Sequence, residues 1–177
     1  MGAGLGAAES ALMALAPAIT DLEQLKAHPA VAALLAWNLS SVVGAKFDRD
    51  EMTIFVDRPC IREACALLRD EASCRFNFLS DVTCVDWFPA EPRFEVVYHL
   101  LSISKKERVR LKVRLHGASP AVDSVVPVWP GANYFEREVF DLFGIRFAGH
   151  PYLVRLLMPE DWEGHPLRKD YPVEGYR

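Results

Sequence analysis

The sequence predicts an α+β fold, in which a mixed, largely antiparallel sheet is packed by helices and followed by an extended C-terminal tail. Between residues 41 and 115, several short segments alternate apolar with polar residues, which is typical of strands with one buried face. Prolines and large apolar side chains share residues 158–177 and indicate an extended segment that packs on a surface. The chain therefore divides into an N-terminal helical segment (1–40), an α+β core (41–157) and a partner-docking tail (158–177).

The N-terminal segment carries Ala- and Leu-rich helical patterns over residues 8–16 and 21–37, interrupted at Pro17 and near Pro29. No basic residue precedes Lys26, so the apolar stretch at the start lacks the positive flank of a signal peptide. The longest uncharged run of the chain is too polar to span a bilayer. We expect the chain to stay on the cytoplasmic side and to cross no membrane by itself.

The core begins with a hairpin around the turn Asp48–Asp50, and a helix over residues 59–69 follows, with Pro59 in its first turn. Three longer strands come next. The predicted strands cover residues 41–46, 52–56, 78–87, 94–101 and 108–115.

The last of these strands places four cations on one face, because residues two apart in a strand point the same way. They are Arg108, Arg110, Lys112 and Arg114. A solvated face answered by acidic neighbours is the first interpretation, and a surface for an anion or a partner is the second. Nucleic acid is disfavoured, because no aromatic residues alternate with the cations and the chain has a net charge of −4.

A well-delimited helix is predicted between Asn133 and Gly144. Asn133 can cap its start, with Glu136 three residues later in a capping box, and Gly144 is a natural C-terminal stop. Phe135, Val139 and Leu142 share one face, which we expect to pack on the sheet.

Two carboxylates of this helix, Glu138 and Asp141, also share a face. Such a pair can act in acid–base catalysis. Arg137 and Asp141, four residues apart, offer a simpler explanation as an ion pair. The structural role is the favoured interpretation.

The triplet Gly-His-Pro occurs twice, around His150 and His165. A zinc site would need two more ligands, and the nearby acidic residues have no helical or strand spacing that would orient them. The cysteines include no Cys-x-x-Cys pair, which favours reduced structural thiols. Each histidine is best interpreted as part of a turn whose imidazole bonds to backbone groups or to a partner. The tail is then expected to lie across a neighbouring subunit, anchored by Trp162, Leu167 and Tyr171, and not to be needed by the core.

Two segments that lie close together in the sequence are EREVFDLFGIRFAGHP (136–151) and RLLMPEDWEGHPLRKDYP (155–172). They resemble the 30 kDa subunit, or C subunit, of respiratory complex I, the proton-pumping NADH:quinone oxidoreductase. Val154 departs from that family, which usually has a second basic residue there, so fewer ion pairs are expected at this point. The resemblance marks a set of signature and partner-docking residues. They are Glu136, Arg137, Glu138, Asp141, Gly144, His150, Pro151, Arg155, Trp162, His165, Pro166, Leu167, Arg168 and Tyr171.

The resemblance implies a structural subunit of the peripheral arm without a catalytic residue, metal or cofactor of its own. In that family FMN, iron–sulfur clusters and quinone are bound by other subunits. The implied neighbours are the 49 kDa (D) and PSST (B) subunits, and the implied location is the cytoplasmic side of the inner cell membrane, reached only through the complex. NADH oxidation, quinone reduction and proton translocation would belong to the whole assembly.

Two alternatives remain at the level of the sequence. One is the homologous subunit of a membrane-bound hydrogenase or formate hydrogenlyase, which neighbouring genes for nickel-enzyme maturation would indicate. The other is a self-sufficient enzyme using Glu138 and Asp141, which should show turnover as an isolated chain.

Overall fold

The structure, a computed structural model, describes residues 17–176. The helical pattern at residues 8–16 lies outside this range. In chain order the elements are α1 (Leu22–Leu25), α2 (Pro29–Trp37), β1 (Val42–Asp48), β2 (Glu51–Val56), α3 (Ile61–Asp70), β3 (Phe78–Asp86), β4 (Phe94–Ser102), β5 (Glu107–Leu115), β6 (Ala121–Asp123), α4 (Ala132–Phe143) and β7 (Arg146–Ala148). Within the described part of the chain, no helix has the length and apolar character that a membrane crossing requires.

Five strands form one sheet in the order β1-β2-β5-β4-β3. Neighbouring strands are antiparallel except β2 and β5, which run parallel, so the predicted mixed, largely antiparallel sheet is confirmed. β1 and β2 form the predicted hairpin. Its two-residue turn uses Arg49 and Asp50, both in the left-handed region that such tight hairpin turns require.

One face of this sheet packs against the helices and forms a continuous apolar core. Alternate residues of the central strands point into it, including the fully buried Phe94, Tyr98 and Leu111. α3 contributes the predicted apolar stripe: Ile61, Ala64, Cys65 and Leu68. α2 joins the same core through Ala30, Val31 and Leu34. Because these helices and the sheet bury a common set of side chains, α2 is part of the core in the structure.

The opposite face of the sheet carries the four cations of β5, and three of them pair with acidic residues of neighbouring strands. Lys112 Nζ lies 2.6 Å from Glu95 Oε1, and Arg114 Nε lies 3.4 Å from Glu95 Oε2. Arg110 pairs with Glu51. The long side chains extend across the strands, so Glu95 is buried although it lies on the open face.

The start of α4 differs from the prediction. The helix begins at Ala132, and Gly131 is its N-cap residue without a side-chain capping bond. Asn133 therefore lies inside the helix, and the predicted capping box with Glu136 does not form. The face with Val139 and Leu142 buried and Phe135 partly buried packs on the core as expected.

Two three-residue strands, β6 and β7, pair in parallel in a second small sheet that the sequence does not predict. Strands of this length are too short to show an alternating pattern. Arg62 of α3 donates to the carbonyls of Ser124 and Ala148, beside this sheet. The small sheet thereby holds the segment leading into α4 close to α3.

Candidate functional site: the strap docked on helix α4

A single carboxylate near the end of α4 organises the segment that follows the small sheet. The side chain of Asp141 is 0% exposed. Its Oδ2 accepts from three successive backbone N–H groups, those of Leu156 (3.0 Å), Leu157 (2.7 Å) and Met158 (2.8 Å). Burial alone would raise the pKa of Asp141, but these donors and the Arg155 guanidinium hold it below its ordinary value.

Arg155 connects the carboxylate of Asp141 to backbone carbonyls later in the chain. Its Nη1 lies 2.7 Å from Asp141 Oδ1, and its Nη2 donates to the carbonyls of Trp162 and Gly164. The sequence predicted an ion pair between Arg137 and Asp141, which is wrong. Arg137 instead donates to the carbonyls of Val154 and Arg155. A contact four residues apart on a helix was the simplest prediction, but Asp141 pairs with Arg155, 14 residues further along the chain.

We call residues 155–171 the strap. The strap donates hydrogen bonds to three carbonyls at the end of α4 that have no partner within the helix. Asp141 O accepts from His165 Nδ1 at 2.8 Å, Leu142 O from the Leu167 N–H at 3.1 Å, and Phe143 O from Arg168 Nε at 2.6 Å. The tail therefore packs on the core of its own chain, which the sequence analysis did not predict.

Gly144 ends α4 in the left-handed conformation at φ 74°. This agrees with the predicted stop. A Cβ at Gly144 would lie 2.5 Å from both His165 Nε2 and Arg168 Nη2. Glycine is therefore needed both for its backbone conformation and for the close approach of the strap.

The far end of the strap is held by a second cluster of charges. Arg93 is buried. Its guanidinium donates hydrogen bonds to Asp86 at 2.8–2.9 Å and to Asp170 at 2.6–2.9 Å. The rings of Phe88 and Phe94 lie 4.9 and 4.8 Å from it. Burial alone would raise the pKa of Asp86, but Arg93 and two backbone N–H groups lower it to about 2.

Glu136 forms a different kind of buried site. Its carboxylate accepts from Ser124 Oγ at 2.6 Å and from the Val125 N–H at 2.7 Å, and the side chain has no exposed surface. No described cation forms a salt bridge with it. Burial raises the pKa of Glu136 to about 7, even though these two hydrogen bonds lower it.

The two histidines bond to backbone groups, as the sequence predicts. His150 Nδ1 accepts from the Tyr152 N–H at 3.0 Å, so its Nε2 carries the proton that faces Asn133 O at 3.3 Å. His165 donates to Asp141 O. Burial lowers the pKa of both imidazoles. Within residues 17–176, no three His, Cys, Asp or Glu side chains are grouped in a way that could hold a metal ion.

The two carboxylates considered for catalysis occupy different environments. Asp141 is sealed beneath the strap, whereas Glu138 is exposed to solvent. They therefore do not form a shared solvent-facing acid–base pair.

Several large apolar side chains remain outside on and beside the strap. Tyr152 is 65% exposed, Leu157 56%, Leu167 52% and Trp162 40%. Of the remaining signature residues, Pro151 is exposed, and Pro166 and Tyr171 are half-buried. Tyr171 packs edge-on against Tyr176, with ring centroids 5.2 Å apart. The strap thus bonds several of its polar groups to the core and exposes large apolar side chains beside charged ones such as Glu160 and Lys169.

Residues 54–177 match the family of the respiratory-chain NADH dehydrogenase, 30 Kd subunit. The chain belongs to this family. It is 50% identical over 133 residues to the C subunit of the NADH-quinone oxidoreductase of Roseiflexus sp. (strain RS-1), which covers 75% of this chain and 76% of the relative. It is 48% identical over 147 residues to the C subunit from Roseiflexus castenholzii, covering 82% and 84%.

Two solved structures are similar to this member of the family. A trypsin-resistant fragment of Nqo5 is 33% identical with a TM-score of 0.50, covering 58% of this chain and 83% of the fragment. A chain of the membrane-bound sulfane sulfur reductase, an archaeal respiratory membrane complex, is 26% identical with a TM-score of 0.68, covering 81% and 84%. The NADH-quinone oxidoreductase relatives, at about half identity, do not favour the hydrogenase alternative.

Sequence reasoning missed the cluster around Arg93. Arg93 and Asp170 are 77 residues apart, so no local spacing relates them. One available signal was Asp170, which lies inside the segment that carries the family resemblance. The basic residue expected at position 154 is absent, and the backbone carbonyl of Val154 accepts from Arg137.

We predict that Asp141→Asn destabilises the protein by about 3 kcal/mol or more, because it leaves Arg155 partly buried without its counter-charge and turns an amide toward backbone donors. Urea unfolding measures the change, and limited proteolysis should show earlier cleavage within the strap. Glu138→Gln on the exposed side of the same helix is the control and should change stability by no more than about 0.5 kcal/mol. Equal effects of the two variants would contradict the role given to Asp141.

We predict that Glu136 makes stability depend on pH. Its pKa rises from the ordinary 4.5 to about 7 on folding. The contribution of Glu136 to the free energy of unfolding is therefore fully present below pH 4.5 and decreases by roughly 3 kcal/mol as the pH rises through 7. At higher pH it no longer changes. Glu136→Gln keeps the shape and can bond to Ser124. The stability of this variant relative to wild type should therefore increase between pH 4.5 and 7, and a difference independent of pH would disprove the prediction.

We predict that Gly144→Ala lowers stability by about 1–2 kcal/mol from the left-handed backbone alone, and by more if the strap is displaced. Gly131→Ala is the matched control at the other end of α4, because its φ is −63° and a Cβ there meets no atom within 4 Å. Because Gly131 has αR backbone angles that alanine adopts without strain, that change should not lower stability by more than about 0.5 kcal/mol. Thermal unfolding of both variants decides the question, and equal shifts would argue against the close approach at Gly144.

Proposed function

We propose that this chain is a non-catalytic structural subunit of the peripheral arm of an NADH:quinone oxidoreductase, and that it supports electron transfer from NADH to quinone coupled to proton translocation. The observation that carries the proposal is that signature residues form hydrogen bonds within the chain that hold its own structure together. Asp141, Arg155, His165 and Arg168 all bond to the strap or to the end of α4. Their roles are structural, which is what a scaffold requires.

The strap is the proposed docking surface. Hydrogen bonds to α4 hold the strap on the core, so Leu157, Trp162 and Leu167 present apolar area from a fixed backbone. Aromatic and aliphatic anchors of this kind provide much of the binding energy in protein interfaces, and a preformed surface reduces the entropy lost on binding. The proposed partners are the 49 kDa (D) and PSST (B) subunits, which the family resemblance implies as neighbours.

Other parts of the function would belong to the complex. We propose that FMN, iron–sulfur clusters and quinone are bound by other subunits, and that this chain lies on the cytoplasmic side of the inner membrane only through them. The names of the relatives support an NADH-quinone oxidoreductase.

The proposal predicts that a Trp162→Ala, Leu167→Ala double variant folds normally but leaves the complex. Trp162 is 40% and Leu167 52% exposed in the isolated chain, and neither belongs to the buried core, so its melting temperature should fall only slightly. Truncation of interface anchors costs about 2 kcal/mol or more each, so recovery with a tagged 49 kDa subunit should fall at least about tenfold.

The control is a Leu39→Ala, Ile103→Ala double variant, which removes exposed apolar side chains away from the strap. It should co-purify like the wild type. Normal recovery of the strap variant would refute the proposed docking surface. Wild-type protein that fails to co-purify at all would refute the proposed partner.

A further inference from the structure

The open face of the five-stranded sheet contains three adjoining depressions that follow β5. Their volumes are about 290, 230 and 460 Å³. Arg108 and Arg110 line the first, and Arg110 also lines the second. Lys112 lines the second and the third, where Arg114 joins it. The depressions therefore form one trough, and the distance from Arg108 to Arg114 along the strand is roughly 20 Å.

The trough has an excess of positive charge. β5 supplies four cations, and the two carboxylates bonded to them are Glu51 and Glu95. Arg108 is exposed, and among the described residues no carboxylate lies within 4.0 Å of its guanidinium. The side chain of Arg114 is 58% exposed and shares Glu95 with Lys112. We call the four cations of β5 the cation ladder. The cation ladder thus keeps two uncompensated positive charges on a chain whose net charge is −4.

One end of the trough is also apolar. Val43, Phe55 and Pro92 line the third depression, and Val43 is 70% exposed. The ring of Phe55 lies under two cations, 4.9 Å from the Arg114 guanidinium carbon and 5.9 Å from Lys112 Nζ. An occupant therefore meets cations along most of the trough and an apolar surface at this end.

We propose that this trough binds an extended acidic segment of a neighbouring subunit, with carboxylates at alternate residues facing the cations of β5 and an apolar side chain beside Phe55 and Val43. Alternate residues of an extended chain repeat at roughly 6.8 Å, which is also the spacing of the cations along β5. Such complementarity fixes the register and the choice of partner. The trough is a second docking surface, on a face of the sheet that the strap does not occupy.

Other occupants fit less well. A second copy of this chain in the same contact would bring two cation ladders together, which is unfavourable. Nucleic acid would find a single aromatic ring, that of Phe55, on which to stack, and the chain has a net charge of −4. An acidic protein segment is therefore the occupant that the lining favours.

The test reverses the charge at the two ends of the cation ladder and measures assembly of the intact complex. An Arg108→Glu, Arg114→Glu double variant should reduce recovery in the assembled complex at least about tenfold, while the melting temperature of the isolated chain stays close to that of the wild type. The control is an Arg75→Glu, Arg146→Glu double variant, which makes the same charge change at exposed arginines outside the trough. Normal recovery of the ladder variant, or equal loss of both variants, would overturn the proposal.

A second measurement applies if the ladder variant does not fold. Arg108→Lys keeps the charge and introduces an amine that a zero-length carbodiimide can couple to a carboxylate. In the assembled complex, a cross-link between position 108 and an Asp or Glu of another subunit is expected. A cross-link only within this chain or to a second copy of it, or no cross-link at position 108, would overturn the proposal. The strap variant distinguishes this result from a failure of the proposed function, because it tests assembly through a different surface.

Discussion

The buried carboxylate of Asp141 is the interaction on which the candidate site depends. It lies in the last turn of α4, where a negative charge is unfavourably placed with respect to the helix dipole. Desolvation adds to that cost. Four hydrogen bonds, including one from a guanidinium, offset both terms. Because three of the donors are successive backbone N–H groups of the strap, the charge is stable only while the strap is in place.

The same geometry explains why the end of α4 and the strap form one unit. A helix leaves its last carbonyls without internal partners, and here the strap supplies the donors. The Arg93 cluster holds the other end, about fifteen residues further along the strap, by joining Asp170 to Asp86 of the sheet. An irregular segment with several prolines has little regular structure of its own, so these two attachments determine its course. Its apolar side chains then face outward from a fixed backbone.

The sequence predicts most of the fold and only part of this site. The five strands of the main sheet, the hairpin, α3 and the Gly144 stop follow from local patterns of burial, turn residues and capping, and the structure confirms them. The strap was predicted to dock on a neighbour, because its composition shows that it must pack on something but not on what. Arg155 and Arg93 find their partners 14 and 77 residues away, and no periodic pattern relates such residues. The start of α4 was misplaced because a glycine N-cap leaves no polar side-chain signal of its own, while Asn133 offered one.

Glu136 and Asp141 show how strongly the environment decides the behaviour of a carboxylate. Both are buried on the same helix, five residues apart. Asp141 receives four donors, one of which is the positively charged Arg155 guanidinium, so its pKa lies below the ordinary value. Glu136 receives two neutral donors without a salt-bridge partner, so burial dominates and its pKa rises to about 7. The number and charge of the donors, rather than burial alone, therefore keep Asp141 ionised at neutral pH, where it holds the strap, and leave Glu136 able to gain or lose a proton near neutral pH.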